Sequence, residues 1–255
     1  IERHVPMVLG KPTEGFTVIG SKGRKHDAIG KAMGTTLYTD DIALPRMAHG
    51  KILRSPHPHA RIVSIDTSAA EAMDGVFAVI VGAEMPKAFC VIPWTPDEHA
   101  LCIDKVRYIG DGVAAVCAKD EDTANLALTA IDVEYEVLEP VFDPASAADD
   151  GGPLVHDRDW KGRDRKNNIC KQVKLDFGDV DAAFESAAAY VDDRWSYTGN
   201  THAAIEPHCA IAEWGPDGTL HVRSATQVAH YLHRELAAIL NIDEAKIRVT
   251  QPPVG

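Results

Sequence analysis

The longest nearly apolar runs in this chain, residues 76–82 and 112–118, are each seven residues long. A membrane-crossing helix requires about 20 apolar residues in succession, so neither run can span a bilayer. Each has the length of a buried β-strand instead. What surrounds them sets the class. Residues 51–54 and 60–65 carry strand-type patterns, and residues 67–73 read as a short helix, with Thr67 or Ser68 as its cap, leading into a strand over 76–81. A second block repeats the order. A strand over 113–118 precedes a helix started by Asp120, with Ala124, Ala127, Leu128 and Ile131 at i, i+3, i+4 and i+7, and then a strand over 131–137. Such alternation predicts an α/β or α+β protein.

Among the 255 residues, 38 acidic against 26 basic side chains give a net charge of −12, the wrong sign for a non-specific nucleic-acid or anionic-membrane binder. With 45% hydrophobic and 25% charged residues, the composition is that of an ordinary globular chain able to bury a core. Cys90, Cys102, Cys117, Cys170 and Cys209 are odd in number, widely spaced and without a C-x-x-C pair. That usage argues for a reducing, cytoplasmic setting and against an iron–sulfur cluster or structural zinc held by this chain alone. Nothing at the amino terminus resembles an export signal.

The first forty residues are glycine-punctuated and lack a sustained period, which predicts an extended arm over 1–29. Prolines, glycines and the charged run 157–166 mark a connection lying over the surface. Beyond it, Asp179 can cap a helix with Val180, Ala183, Phe184, Ala187 and Ala188 on one face. Strands near 209–214 and 219–224, joined by Gly215-Pro216-Asp217-Gly218, have a hairpin signature. A helix over 228–240 and a strand over 246–250 follow. Two faces of this layer have no visible cover, so the second unit is expected to be incomplete.

Single motifs do not identify a chemistry. Gly110-x-Gly112-x-x-Ala115 fits a dinucleotide fingerprint on paper but leads into a strand where the fingerprint must open a helix, so it reads as a tight turn. A phosphate loop ending at Gly30-Lys31 fails, because Lys25 and Ala32 stand where Gly and Ser or Thr are required. His57 and His59 lack a third ligand nearby and read mainly as polar packing. His202, Glu206 and His208 offer ligand types at short spacing, but Gly199 and Pro207 disfavour the helix a zinc motif needs. No nucleophile elbow occurs.

Several segments in fixed order are more informative: GKAMGTTLYTDDI at 30–42, GKILRSPHPHARI at 50–62, VRYIGDGVAAV at 106–116, FGDV at 177–180, IEPH at 205–208 and ATQV at 225–228. Together they resemble the molybdopterin-binding large subunit of the xanthine dehydrogenase and aldehyde oxidase family. The resemblance covers about residues 30–255. Within the family, the stretches VGAE at 81–84, VIP at 91–93 and KVRY at 105–108 are most similar to the subunit of 4-hydroxybenzoyl-CoA reductase.

The resemblance implies an arm over 1–29, an α/β hammerhead domain over 30–140, a connection over 141–172 and, over 173–255, an incomplete first part of a molybdenum-cofactor-binding domain. It implies that Gln227 donates a hydrogen bond to a molybdenum ligand and that Gly255 opens a glycine-rich loop whose backbone approaches the cofactor. No catalytic base and no direct metal ligand are implied within these residues. The cofactor would be molybdenum–molybdopterin, shared with a chain carrying the rest of that domain. Iron–sulfur (2Fe–2S) clusters and FAD would sit on partner subunits, and the substrate would be a small aldehyde, N-heterocycle or aromatic acyl-CoA. The other function class consistent with the sequence is a non-catalytic module that assembles or docks such a complex.

Overall fold

The computed structural model describes residues 17–18, 25–90, 95–159 and 161–255. The elements in chain order are α1 (Ala28–Met33), β1 (His49–Arg54), β2 (Ala60–Asp66), α2 (Ser68–Glu71), β3 (Val76–Val81), β4 (Lys105–Val106), β5 (Gly112–Ala118), α3 (Glu121–Leu128) and β6 (Asp132–Val137). They are followed by α4 (Val180–Ser186), β7 (Ala210–Trp214), β8 (Leu220–Ser224), α5 (Ala229–Leu240) and β9 (Ile247–Thr250). Most of the arm expected over 1–29 lies outside the described residues. Its last two residues already belong to α1, a helix too short to show a period, held by the Lys31–Asp27 ion pair at 2.7 Å and ended by Gly34 at φ 69°.

The first two sheets are antiparallel, β1-β5-β3 and β4-β2-β6. Strand β5 joins their cores because its residues alternate. Ala114, Val116 and Ala118 face α2 and α3, packing with Ala70, Ala124 and Ala127, while Val113 packs with Ala60, Cys102 and Val106 in the second core. The small alanines on both sides of the first core let α3 lie close to β5. Asp120 starts α3 as expected, its Oδ1 accepting the Thr123 amide at 2.7 Å. Thr67 is the N-cap residue of α2, but its hydroxyl bonds Glu71 at 2.6 Å rather than the helix backbone. Gly82 is needed for a close approach, since a Cβ there would stand 2.2 Å from the Cys102 carbonyl oxygen.

The connection folds back over β4. Lys105 is 2% exposed, and its Nζ donates to Asp157 Oδ2 at 2.8 Å and to the Leu154 carbonyl at 3.3 Å. Asp157 is exposed, and the hydrogen bond from Lys105 holds its carboxyl below the usual range. Asn168 adds three further bonds, to the Val155 amide and to the carbonyls of Ala147 and Pro153. No helix among the described residues is long and apolar enough to cross a membrane.

The third sheet has the order β7-β8-β9. Strands β7 and β8 form the expected hairpin, closed by Gly215 N to Thr219 O at 2.8 Å with Gly218 at φ 78°. Strands β8 and β9 are parallel, so the chain must cross over between them, and α5 supplies the crossover. Ala237 of α5 packs on Leu220, Val222 and Ile247, and His233 Nε2 lies 3.0 Å from the carbonyls of both Glu244 and Ile247. Asp179 caps α4 through the Ala182 amide at 3.0 Å, but the predicted apolar face does not extend as far as expected. The helix ends at Ser186, with Ala187 extended at ψ 133°. Its Phe184 ring meets Tyr190 edge-on and is otherwise exposed.

Two outcomes are expected for the docked connection. Asp157→Asn leaves the buried Lys105 ammonium without its counter-charge and should cost about 1–3 kcal/mol, less than the roughly 3–5 of a fully buried pair because Asp157 is itself solvated. Because the folded carboxyl titrates below its ordinary value of 3.8, its contribution is complete above that pH and is lost as the pH falls through the lowered value. Amide exchange across 153–168, followed by mass spectrometry against pH, checks both.

Candidate functional site

The parallel pairing of β8 with β9, in the register Leu220 to Ile247 through Arg223 to Thr250, brings their carboxyl ends to one edge of the sheet. Gln227 follows the end of β8 by three residues and Gly255 follows the end of β9 by five. Both sequence-predicted residues therefore leave the same edge, the place where open α/β sheets form their ligand clefts. No hydrogen bond joins them among the described residues.

Gln227 is exposed and its side chain makes no hydrogen bond within the described residues. It is not a helix cap. The N-cap position of α5 is Val228, with no side-chain cap, and the turn is held by Thr226, whose Oγ1 accepts the Val228 amide at 3.2 Å and whose amide donates to Ser224 O at 2.8 Å. Ala225 N donates to the Cys209 carbonyl at 3.3 Å, tying this turn to the entry of β7.

Around Gly255 the arrangement is tighter. Its amide donates to Glu206 Oε2 at 2.6 Å, while the Thr39 amide donates to Glu206 Oε1 at 3.2 Å. A Cβ on Gly255 would stand 2.8 Å from Glu206 Cβ and 3.4 Å from the Tyr38 ring, so the site requires bare backbone. Thr39 is fully buried within the 3-10 turn Thr39–Asp41, and its hydroxyl has no partner among the described residues. Tyr38 N donates to Asp41 Oδ2 at 2.9 Å, which makes the turn self-supporting. Burial, and then the Asp40 carboxylate, raise the pKa of Cys209, which keeps it a thiol near neutral pH.

The remaining candidates separate cleanly. His59 is buried, with Nδ1 2.7 Å from the Glu139 carbonyl, and His57 stacks edge-on against Tyr135 at 5.0 Å, so both are packing residues. Gly110 lies in a turn at φ 94°, its amide bonded to Ser55 O, and leads into β5. His202 and His208 are exposed, and Glu206 is committed to two backbone amides. Among the described residues no group of three or more His, Cys, Asp or Glu side chains could hold a metal ion. Sequence reasoning considered Glu206 only as a metal ligand and missed its bridging role, because Thr39 lies 167 residues away in the chain.

Residues 33–139 match the family described as the aldehyde oxidase and xanthine dehydrogenase a/b hammerhead domain, and residues 162–255 match the molybdopterin cofactor-binding domain. The chain belongs to the xanthine dehydrogenase and aldehyde oxidase family. It is similar to the nicotinate dehydrogenase large molybdopterin subunit of Eubacterium barkeri, 37% identical over 242 residues that cover 94% of this chain and 55% of that one. It is also 32% identical over 267 residues to the carbon monoxide dehydrogenase large chain of Afipia carboxidovorans, covering 100% of this chain and 33% of that one. Among solved structures, a Cu,Mo-CO dehydrogenase superposes with a TM-score of 0.77 at 30% identity, covering 92% of this chain and 31% of that chain. The chain thus spans about half, or less, of the length of these members of the family.

The hydrogen bonding predicts a contrast between adjacent residues. Thr226→Ala should lower stability by about 1 kcal/mol through loss of the turn bond, whereas Gln227→Ala should change it by less than about 0.5. Chemical denaturation of the two variants measures the difference.

Proposed function

We propose that this chain is the N-terminal piece of the molybdopterin-binding subunit of a molybdenum hydroxylase-type oxidoreductase. Its substrate is an aldehyde, an N-heterocycle or an aromatic acyl-CoA, and it turns over only together with the remaining part of that subunit. The observation that carries the reading is the shared edge: Gln227 and Gly255 leave the carboxyl ends of neighbouring parallel strands.

The residues at that edge fit the cofactor. Gln227 presents a side-chain amide that no group among the described residues engages, and Gly255 presents backbone held where a Cβ has no room. Gln227 would hold the group through its amide N–H and Gly255 through its backbone. When bound, the molybdenum–molybdopterin cofactor supplies the two-electron redox chemistry. The chain would supply orientation: an amide donor held beside the position where charge develops lowers the barrier.

Support for a required complement comes from the segment between the connection and β7. Phe177, Trp195 and Ile205 are 79%, 86% and 99% exposed, and Leu175, Tyr190, Val191 and Tyr197 are also largely exposed. Apolar side chains exposed together along one segment mark an interface, and the occupant we assign to it is the remainder of the cofactor-binding subunit, whose relatives run well beyond the matched length. The 2Fe–2S clusters and FAD that pass electrons onward are assigned to partner subunits, since the five cysteines here are scattered rather than grouped as cluster ligands. Five widely spaced cysteines also fit a cytoplasmic location.

A purely docking module would use the same apolar segment but would give the Gln227 amide no work. In the assembled, metal-replete enzyme, Gln227→Ala should slow the half-reaction in which substrate reduces the cofactor by about 10- to 1000-fold with molybdenum content unchanged. Rapid-reaction kinetics reads this, and an unchanged rate would favour the docking module.

A further inference from the structure

We propose that Glu206 is a positioning residue that sets the cofactor-facing backbone at Gly255 against a rigid turn in the amino-terminal half of the chain. The proposal rests on the reading of the β8–β9 edge given above. The two carboxylate oxygens divide the work, Oε1 accepting from Thr39 N at 3.2 Å and Oε2 from Gly255 N at 2.6 Å. The turn on which Glu206 leans is fixed independently, by the Tyr38 amide to Asp41 bond and by the complete burial of Thr39. Three residues on, the Cys209 carbonyl accepts from Ala225 N, two residues before Gln227. The short stretch 206–209 therefore touches both loops that leave the sheet edge, and Glu206 links it to the turn at Thr39–Asp41.

The chemistry of the link is specific to a carboxylate. An ionised carboxylate offers two acceptor oxygens, whereas a side-chain amide offers one oxygen and an NH2 group that can only donate. Glu206→Gln keeps the volume but turns a donor toward a backbone N–H on one of the two arms. The loop at Gly255 then loses its reference point, and a displacement of about 1 Å near the reacting centre can cost on the order of a hundredfold in rate. A role limited to stability would lower the melting temperature without touching the electronic environment of the metal.

The test uses the purified, assembled enzyme with all its subunits. In Glu206→Gln, amide exchange at Thr39 or Gly255 should accelerate, the Mo(V) electron paramagnetic resonance signal should change shape, and kcat should fall about tenfold or more with molybdenum content retained. Thr39→Pro is the second variant, for use if Glu206→Gln does not assemble. Tyr38 is already extended at ψ 174°, as a residue before proline must be, so the backbone accepts the change, which removes the donor of one arm together with the buried Thr39 hydroxyl. It should move exchange at Gly255, the signal and kcat in the same direction. Unchanged exchange, or faster exchange with an unaltered signal and rate, would overturn the proposal. Gln227→Ala measured in parallel separates the two claims: if it slows turnover while the Glu206 and Thr39 variants do not, the positioning role fails and the cofactor edge stands. If none of the three variants has an effect, both fail.

Discussion

The parallel pairing of β8 with β9 is the constraint on which the functional half of this structure depends. Parallel neighbours cannot be joined by a hairpin, so the chain has to leave β8, cross the face of the sheet and return to the same starting edge. Helix α5 makes that crossing and is held by Ala237 on Leu220, Val222 and Ile247. His233 adds a polar tie to the carbonyls at the start of β9. The consequence is geometric: the segments after both strands emerge together. Ladder hydrogen bonds and one packed helix thus bring Gln227 and Gly255 to a common edge without any direct bond between them.

The amino-terminal half contributes a fixed reference. Strand β5 of its first antiparallel sheet serves two cores through its alternating faces, and the alanines of the first core let α3 pack closely. The connection is then closed over β4 by a buried ammonium, Lys105, that needs Asp157 to stay there. Glu206 ties the turn at Thr39–Asp41 to the tail that follows β9, so two hydrogen bonds join the first half of the chain to the second.

Local features were legible in the sequence because local forces make them. Asp120 and Asp179 cap α3 and α4 as their positions suggested, and Gly215-Pro216-Asp217-Gly218 closes the β7–β8 hairpin. The ordered set of motifs pointed to the family, and its hammerhead and cofactor-binding domain matches follow the same order. What could not be read were contacts between residues far apart in the chain. Nothing in IEPH says that Glu206 will reach Thr39, and nothing in the apolar face of α4 says that Phe184 will be left exposed, because burial depends on what arrives to cover it. The six-residue α1 was missed for the opposite reason: it is shorter than any window in which a helical period can show.

The central claim is that the carboxyl edge of β8 and β9 faces the molybdenum cofactor. Anomalous diffraction at the molybdenum edge from crystals of the assembled enzyme locates the metal without reference to any assumed role. The account predicts a single strong peak per copy of this chain, outside the carboxyl ends of these two strands and beside the Gln227 amide. A peak on another face of the chain, or one remote from Gln227 and Gly255, would contradict it.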